Sequence, residues 1–285
     1  MSIKNNYKLN YQLVGKPENP VVLFLHGFMG NINEFEGVIS VLSSSFYCLL
    51  VDLPGHGETQ VLSDDDYTMS NIANALIKLL DSLKDSFQDT FKNSKFILIG
   101  YSMGGRLSLY LTLNFPQYFS RVILESASPG LKTEIERQER IKRDAQIARK
   151  LNRISSQSEF KIFLDNWYRQ PVFGDIKNNL QFSKLIQIRL QNNPHRLAKS
   201  LEIMGTGSQN SLWDKLENNQ VPILLLVGEY DTKFVEINQQ MNNLLARCLE
   251  THLQRSHLKV IKNTGHNIHF ENPSGFISAI FNFIN

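Results

Sequence analysis

Short, continuous runs of apolar residues recur along the chain and alternate with longer segments of helical periodicity. Continuous apolar runs are typical of strands buried on both faces of a parallel sheet, whereas amphipathic helices repeat apolar positions every three or four residues. The predicted strands are residues 7–13, 21–25, 47–51, 96–99, 121–125, 221–227 and 257–261. The predicted helices between them are 31–42, 68–83, 107–113 and 273–283. This alternation predicts an α/β fold with a mostly parallel, twisted sheet and helices on both faces.

The strand rhythm stops between residues 128 and 213. Four charged segments of helical character occupy this region, at 134–151, 158–167, 180–190 and 194–204. We therefore expect a core formed by residues 1–127 and 214–285, with a helical cap inserted at 128–213.

A serine motif stands at the centre of the predicted core. Residues 100–104 match G-x-S-x-G and lie between an apolar strand and a helix, which is the context of a nucleophile elbow. The sharp turn predicts a strained backbone at Ser102, with glycines beside it because side chains there would clash. Its hydroxyl is expected at the N-terminus of a helix, which favours negative charge.

A serine hydroxyl needs a general base, and the base needs an orienting acid. In the elbow context these follow in the order acid, then histidine, each after a late strand. Asp231 and His266 occupy these places, and Glu229 is the competing acid, closer to the strand end. His269 is expected to be structural, because three residues beyond His266 it would point elsewhere.

Developing charge on an oxygen requires preorganised N–H donors. The amide of Met103, directly after the serine, is one expected donor. The amide of Phe28, in the turn after the 21–25 strand, is the other. His26 and His56, in the turns after two strands, are expected to brace loops, and the stretch 125–128 receives no role.

Charge and cysteine content narrow the function classes. The net charge of +3 is too small to indicate nucleic-acid binding, but residues 131–200 contain fifteen Lys and Arg against seven Asp and Glu. Cys48 lies in an apolar run and reads as a core thiol, and no metal-ligand spacing surrounds it or Cys248. With no signal-peptide pattern and no apolar run near 18 residues, we expect a cytoplasmic protein without stable membrane insertion, as a monomer or weak oligomer.

Four segments carry a resemblance that spans essentially the whole chain. They are residues 100–106 (GYSMGGR), 128–131 (SPGL), 165–173 (DNWYRQPVF) and 265–273 (GHNIHFENP). Together with the serine, acid and histidine order, they resemble the α/β-hydrolase superfamily. Within it they resemble the 2-succinyl-6-hydroxy-2,4-cyclohexadiene-1-carboxylate synthases (MenH), lyases of menaquinone and phylloquinone biosynthesis. The string in the insertion is more discriminating than the serine motif.

The resemblance implies an elimination rather than a hydrolysis. The family's substrate, 2-succinyl-5-enolpyruvyl-6-hydroxy-3-cyclohexene-1-carboxylate, loses pyruvate after a proton is abstracted next to the succinyl ketone. Ser102, activated by His266 and Asp231, acts as the base, and the oxyanion donors hold the dienolate. The resemblance implies neither a metal nor an organic cofactor.

A tricarboxylate substrate requires fixed cations, and arginine suits bidentate carboxylate contacts. Arg106 follows the serine by one helical turn, so it can face the same pocket. By similarity, the other substrate-binding residues are Tyr101, Arg140, Trp167, Phe173 and Arg189. Three more arginines of the first cap helix are expected on its solvated face: Arg137, Arg143 and Arg149.

The same serine, histidine and acid also serve an ester or carbon–carbon bond hydrolase acting on a small anionic substrate. The basic cap favours the lyase, because a lipid hydrolase would need a mainly apolar insertion. A non-catalytic receptor on this scaffold is a second alternative, disfavoured because every catalytic element is present. A polyanion-binding module is disfavoured because acidic residues interrupt the basic ones.

Overall fold

A computed structural model describes residues 7–86, 94–247 and 256–284. The strands are β1 (Tyr7–Lys8), β2 (Tyr11–Val14), β3 (Val21–Leu25), β4 (Tyr47–Val51), β5 (Gln60–Val61), β6 (Phe96–Tyr101), β7 (Phe119–Glu125), β8 (Ile223–Gly228) and β9 (Ser256–Ile261). The α-helices are α1 (Glu36–Leu42), α2 (Met69–Ser86), α3 (Met103–Asn114), α4 (Glu134–Leu151), α5 (Gln157–Trp167), α6 (Phe182–Leu190), α7 (Pro194–Met204), α8 (Thr232–Leu245), α9 (Ile268–Glu271) and α10 (Pro273–Ile284).

Seven strands form one sheet in the order β2-β4-β3-β6-β7-β8-β9. Only β2 runs antiparallel to its neighbour; the other strand pairs of this sheet are parallel. The predicted first strand is divided into β1, which pairs with β5, and β2, which pairs with β4. The division falls at Asn10, whose amide nitrogen donates to Thr59 Oγ1 at 2.9 Å and whose side chain donates to Asp52 at 2.7 Å.

Helices cover both faces of the sheet, as the apolar runs predict. Successive strand residues point to opposite faces. One face, including Leu23 and Leu98, packs against α2, α3 and α8. The other, including Phe24 and Ile97, packs against α1 and α10. Cys48 is buried in the second layer, where burial raises the pKa of its thiol to about 12; Cys248 lies outside the described residues.

The four helices predicted for the insertion are α4 to α7, between β7 and β8. Thr133 begins α4 with a capping box: its hydroxyl accepts the Glu136 N–H, and Glu136 accepts the Thr133 N–H at 2.8 Å. The helices bury a third apolar cluster that includes Leu164, Tyr168 and Phe173 from the insertion and Met29 from the loop after β3. This cluster therefore joins the insertion to the carboxyl edge of the sheet, where ligands bind in open α/β folds.

The helices in the described ranges are too short or too polar to cross a bilayer.

Candidate active site

The turn between β6 and α3 presents Ser102 at the carboxyl edge of the sheet. Its φ of 49° and ψ of −106° lie in a region that non-glycine residues rarely occupy, as the predicted elbow requires. The end of β7 and the loop after β3 hold this conformation through two backbone hydrogen bonds. The Ser102 N–H donates to the Glu125 carbonyl at 2.8 Å, and the Gly104 N–H donates to the His26 carbonyl at 3.1 Å.

Two glycines let the elbow pack closely against its neighbours. A Cβ on Gly104 would lie 2.2 Å from the carbonyl oxygen of Leu25 in β3. A Cβ on Gly100 would lie 2.2 Å from the hydroxyl of Ser108 in α3. The motif is therefore glycine-rich because the strand and the helix approach more closely than any side chain permits.

His266 connects Ser102 to Asp231. Its Nε2 lies 2.9 Å from Ser102 Oγ, and its Nδ1 lies 2.5 Å from Asp231 Oδ2. Because the carboxylate accepts the Nδ1 proton, Nε2 is left to accept the serine proton. The structure thus brings the three residues expected from the sequence into one hydrogen-bonded chain.

The two candidate acids have different surroundings. Asp231 is 1% exposed and caps α8, where its Oδ1 accepts the Phe234 N–H at 3.4 Å. Glu229 is exposed, and its Oε2 accepts the Asn263 N–H at 2.9 Å. The histidine is therefore oriented by Asp231, while Glu229 closes a turn on the surface.

The two expected oxyanion donors, Met103 and Phe28, lie at the start of α3 and in the loop after β3. Met103 is the first residue of α3, and no side chain caps this helix, so its N–H is free of helical bonds. Phe28 follows β3, and its ring lies against Trp167 of the insertion at 5.8 Å between centroids. A Cβ on Gly27 would lie 2.5 Å from the Tyr101 ring, which shows how closely this loop approaches β6.

Arg106 and Arg140 form a positive pair beside the elbow. Arg106 is buried and donates to Gln209 Oε1 at 2.7 Å and to the Met204 carbonyl at 3.0 Å. Burial, with the positive charge of Arg140 second, lowers the pKa of Arg106 to about 10, so it stays charged at neutral pH. Arg140 is partly exposed and pairs with Asp144 at 2.7 Å. One carboxylate for two guanidinium groups leaves an excess positive charge that suits an anionic ligand.

Arg189 makes a different set of contacts. It is 1% exposed, forms an ion pair with Glu34, and donates through Nε to the Tyr168 hydroxyl at 2.8 Å. Burial opposes the charge, but Glu34 and Tyr168 outweigh it and raise the pKa of Arg189. The resemblance implies that Arg189 contacts the substrate. In the structure its contacts are with Glu34 and Tyr168, and its substrate role stays a prediction.

The three aromatic residues expected at the site lie close to His266 or to the Phe28 loop. Tyr101 and Phe173 place their ring centroids 5.5 Å and 5.8 Å from that of His266. Trp167 is half-buried between Phe28 and Phe173. Phe234, which the sequence does not single out, also contacts His266, at 4.6 Å.

A buried acid and histidine escaped the sequence analysis as a pair. Glu125 is fully buried and accepts from His269 twice, from its backbone N–H at 3.0 Å and from Nδ1 at 2.7 Å. The signal was a glutamate at the end of an otherwise apolar strand, since a buried carboxylate requires a partner. Glu125, the last residue of β7, therefore has a structural role in binding His269.

His26 and His56 connect the loops after β3 and β4. His26 Nε2 accepts the Leu53 N–H at 2.9 Å and Nδ1 donates to the Gly27 carbonyl at 2.8 Å. His56 Nδ1 donates to the Pro54 carbonyl at 3.1 Å. Burial lowers the pKa of both rings below the ordinary 6.5, further for His56.

We expect these histidines to destabilise the protein in mild acid. Below about pH 6.5 the unfolded chain binds a proton at each ring while the folded protein does not, so the free energy of unfolding falls as the pH decreases. His56→Asn keeps a donor for Pro54 but cannot titrate, and should flatten this dependence. Denaturant titrations across the acidic range measure it. The exposed His195→Asn is the control, and equal slopes for His56→Asn and wild type would contradict the expectation.

Comparison with known proteins adds relatives to this geometry. A family profile described as alpha/beta hydrolase fold matches residues 20–273. The chain is 35% identical over 274 residues to the putative 2-succinyl-6-hydroxy-2,4-cyclohexadiene-1-carboxylate synthase of Bacillus subtilis, covering 95% of this chain and 92% of that protein. It is 33% identical over 266 residues to the synthase of that name from Escherichia coli O1:K1, covering 93% and 94%. The solved structure of MenH from S. aureus superposes with a TM-score of 0.82 at 34% identity, covering 98% of each chain.

Proposed function

Since the chain belongs to the 2-succinyl-6-hydroxy-2,4-cyclohexadiene-1-carboxylate synthases, within the α/β-hydrolase fold family, we propose that it catalyses the formation of that carboxylate. It is a carbon–oxygen lyase that eliminates pyruvate from 2-succinyl-5-enolpyruvyl-6-hydroxy-3-cyclohexene-1-carboxylate. The product is an intermediate of menaquinone or phylloquinone biosynthesis. The observation that supports this most directly is the Ser102–His266–Asp231 chain beside a pair of arginines.

In the proposed reaction Ser102 removes the proton at C2, next to the succinyl ketone. Its own hydroxyl proton passes to His266 Nε2, and the resulting imidazolium is stabilised by Asp231. The electron pair forms C2=C3, the ring double bond moves to C4=C5, and the C5–O bond to enolpyruvate breaks. The enolpyruvate takes up a proton and becomes pyruvate. No metal or organic cofactor enters this scheme.

The dienolate formed on the way carries negative charge on the ketone oxygen. We assign the amide N–H groups of Phe28 and Met103 to this oxygen, because fixed donors stabilise charge that develops in the transition state. The N-terminus of α3 adds its dipole in the same direction. Tyr101, Trp167 and Phe173 form the apolar walls that keep water from the carbanion.

The substrate carries three carboxylates, and we assign Arg106 and Arg140 as their main partners. The two bonds of Arg106 to Gln209 and Met204 use two of its five N–H donors, so it can bind an anion while its position is held. Arg189 is assigned as a third partner through its Nη1, which is buried without a hydrogen-bond partner among the described residues.

We propose residues 128–213 as the cap and residues 1–127 and 214–285 as the core. The helices α4 to α7 lie within these limits. We further propose that the protein acts in the cytoplasm as a monomer or weak oligomer, on a small anionic substrate.

The test supplies purified protein with the enolpyruvyl substrate, generated in situ by the preceding enzyme. Pyruvate release and the ultraviolet band of the cyclohexadiene are followed, with a nitrophenyl ester assayed in parallel. Elimination well above the spontaneous rate with negligible ester cleavage would support the lyase. Brisk ester turnover without accelerated elimination would instead establish a hydrolase using the same serine.

Arg106→Ala is expected to raise KM by roughly 10- to 100-fold with a smaller change in kcat, because a hydrogen bond to a charged group contributes about 1.5–3 kcal/mol. Steady-state kinetics of pyruvate release measure both constants. Arg143→Ala removes an exposed arginine from α4 and should leave them unchanged. Equal kinetics for wild type and Arg106→Ala would remove Arg106 from the substrate site.

A further inference from the structure

The loop that carries His266 is held by a carboxylate from the helix that follows it. Glu271, the last residue of α9, folds back toward the start of this loop. Its Oε2 accepts the Gly265 N–H at 3.0 Å, and its Oε1 accepts the Asn267 N–H at 3.3 Å. One side chain therefore binds the backbone amides on both sides of His266.

The amide between these two is fixed from the opposite direction. The His266 N–H donates to the carbonyl of Val172, in the insertion, at 3.0 Å. Three consecutive N–H groups thus have assigned acceptors, two of them on Glu271. These three hydrogen bonds fix the backbone at His266 independently of the contacts that its ring makes with Ser102 and Asp231.

The surroundings of Glu271 are unusual for a carboxylate. Burial raises its pKa to about 7, although the Gly265 and Asn267 amides oppose the shift. No lysine or arginine among the described residues forms an ion pair with it. Burying a carboxylate without a neighbouring cation costs free energy. In this structure the two hydrogen bonds from the Gly265 and Asn267 amides partly offset that cost.

We propose that Glu271 is a positioning residue, which fixes the imidazole of His266 between Ser102 and Asp231 by binding the amides of Gly265 and Asn267. The inference rests on the proposed function, in which His266 must take and return a proton. A displaced histidine would lengthen its contact with Ser102 or Asp231, and misplacement by about 1 Å can reduce a rate about 100-fold. Glu271 touches neither the substrate nor the reacting atoms.

The test replaces Glu271 with glutamine and, separately, with aspartate. Glutamine keeps the length but presents an NH₂ group to one amide, and aspartate keeps the charge but is one methylene too short to bind both. Assays run at about pH 8, where the wild-type carboxylate is ionised. We expect each variant to lower kcat by roughly 10- to 100-fold with KM little changed, and to broaden the low-field proton resonance of the His266–Asp231 hydrogen bond.

Glu229→Gln is the matched control, because Glu229 also accepts a backbone N–H from the connection between β9 and α9, but at its exposed start. It should behave as wild type. An unchanged kcat in both Glu271 variants would overturn the proposal. The proposal would also be overturned if activity fell only in proportion to the loss of folded protein, measured by thermal melting, while the His266–Asp231 resonance stayed sharp.

A second readout separates this proposal from the proposed function. A fluorophosphonate labels an activated serine whatever the natural substrate is, so its rate of reaction reports on Ser102 and His266 alone. If Glu271 positions His266, labelling slows in both variants even should the wild type show no pyruvate elimination. If labelling is unaffected, the positioning role is wrong, independently of the elimination assay.

Discussion

Ser102→Ala is expected to lower kcat for pyruvate elimination by roughly 10³-fold while KM changes little. The variant removes the atom that we propose takes the C2 proton, and general acid–base catalysis contributes about 10²–10⁴-fold. Substrate affinity should persist because the arginines and the aromatic walls are untouched. Pyruvate release under saturating substrate measures kcat, and single-turnover traces separate binding from chemistry.

Two comparisons make this expectation specific. Ser108→Ala removes another hydroxyl from α3, one that is buried without a hydrogen-bond partner among the described residues, and it should leave kcat unchanged. His266→Ala should be about as damaging as Ser102→Ala, with the double variant little worse, because the two groups act as a unit. A Ser102→Ala enzyme within about tenfold of wild type would assign the proton abstraction to another group.

Glu34→Ala should reduce the free energy of unfolding by roughly 3–5 kcal/mol, because it leaves the Arg189 guanidinium buried and uncompensated. Burial disfavours the charge on Glu34, yet Arg189 and, less strongly, His269 hold the pKa of that carboxyl below its ordinary value. Both side chains are almost completely buried. Denaturant unfolding at constant pH measures the loss.

An exposed ion pair between the same two parts of the protein provides a matched control. Glu36, at the start of α1, pairs with Lys184 of α6 at 3.2 Å, and both side chains are at least half exposed. Glu36→Ala should be nearly neutral, since water screens such pairs. The double variant Glu34→Gln, Arg189→Met should recover much of the stability, because it leaves no unpaired charge. Equal costs for Glu34→Ala and Glu36→Ala would contradict the importance of burial.

Local patterns were sufficient for most of the sheet and for placing Ser102, Asp231 and His266 at its carboxyl edge. Continuous apolar runs identified the fully buried parallel strands β3, β4, β6 and β8, which are covered on both faces. The positions of Ser102, Asp231 and His266 followed from the predicted strands, since carboxyl ends of parallel strands meet at one edge. Each of these residues directly follows a strand or the short turn after it.

Contacts that depend on how the insertion sits on the core could not be predicted in this way. Glu34 and Arg189 are separated by 155 residues in sequence, and neither stands in a pattern that indicates the other. Helix α8 was also missed, because only Asn238, Met241 and Leu245 of its residues are buried. Its apolar stripe is too sparse to be recognised without the sheet it covers.

The Val172–His266 hydrogen bond has a consequence for engineering this scaffold. Together with the contact of Trp167 on Phe28, it means that the insertion supports both the His266 loop and the loop that we propose carries an oxyanion donor. The insertion is therefore not an interchangeable module: a chimera that takes its cap from another α/β hydrolase must recreate a carbonyl at the position of Val172 and a ring at that of Trp167. Without these two contacts, we expect the transplanted cap to leave the His266 and Phe28 loops misaligned.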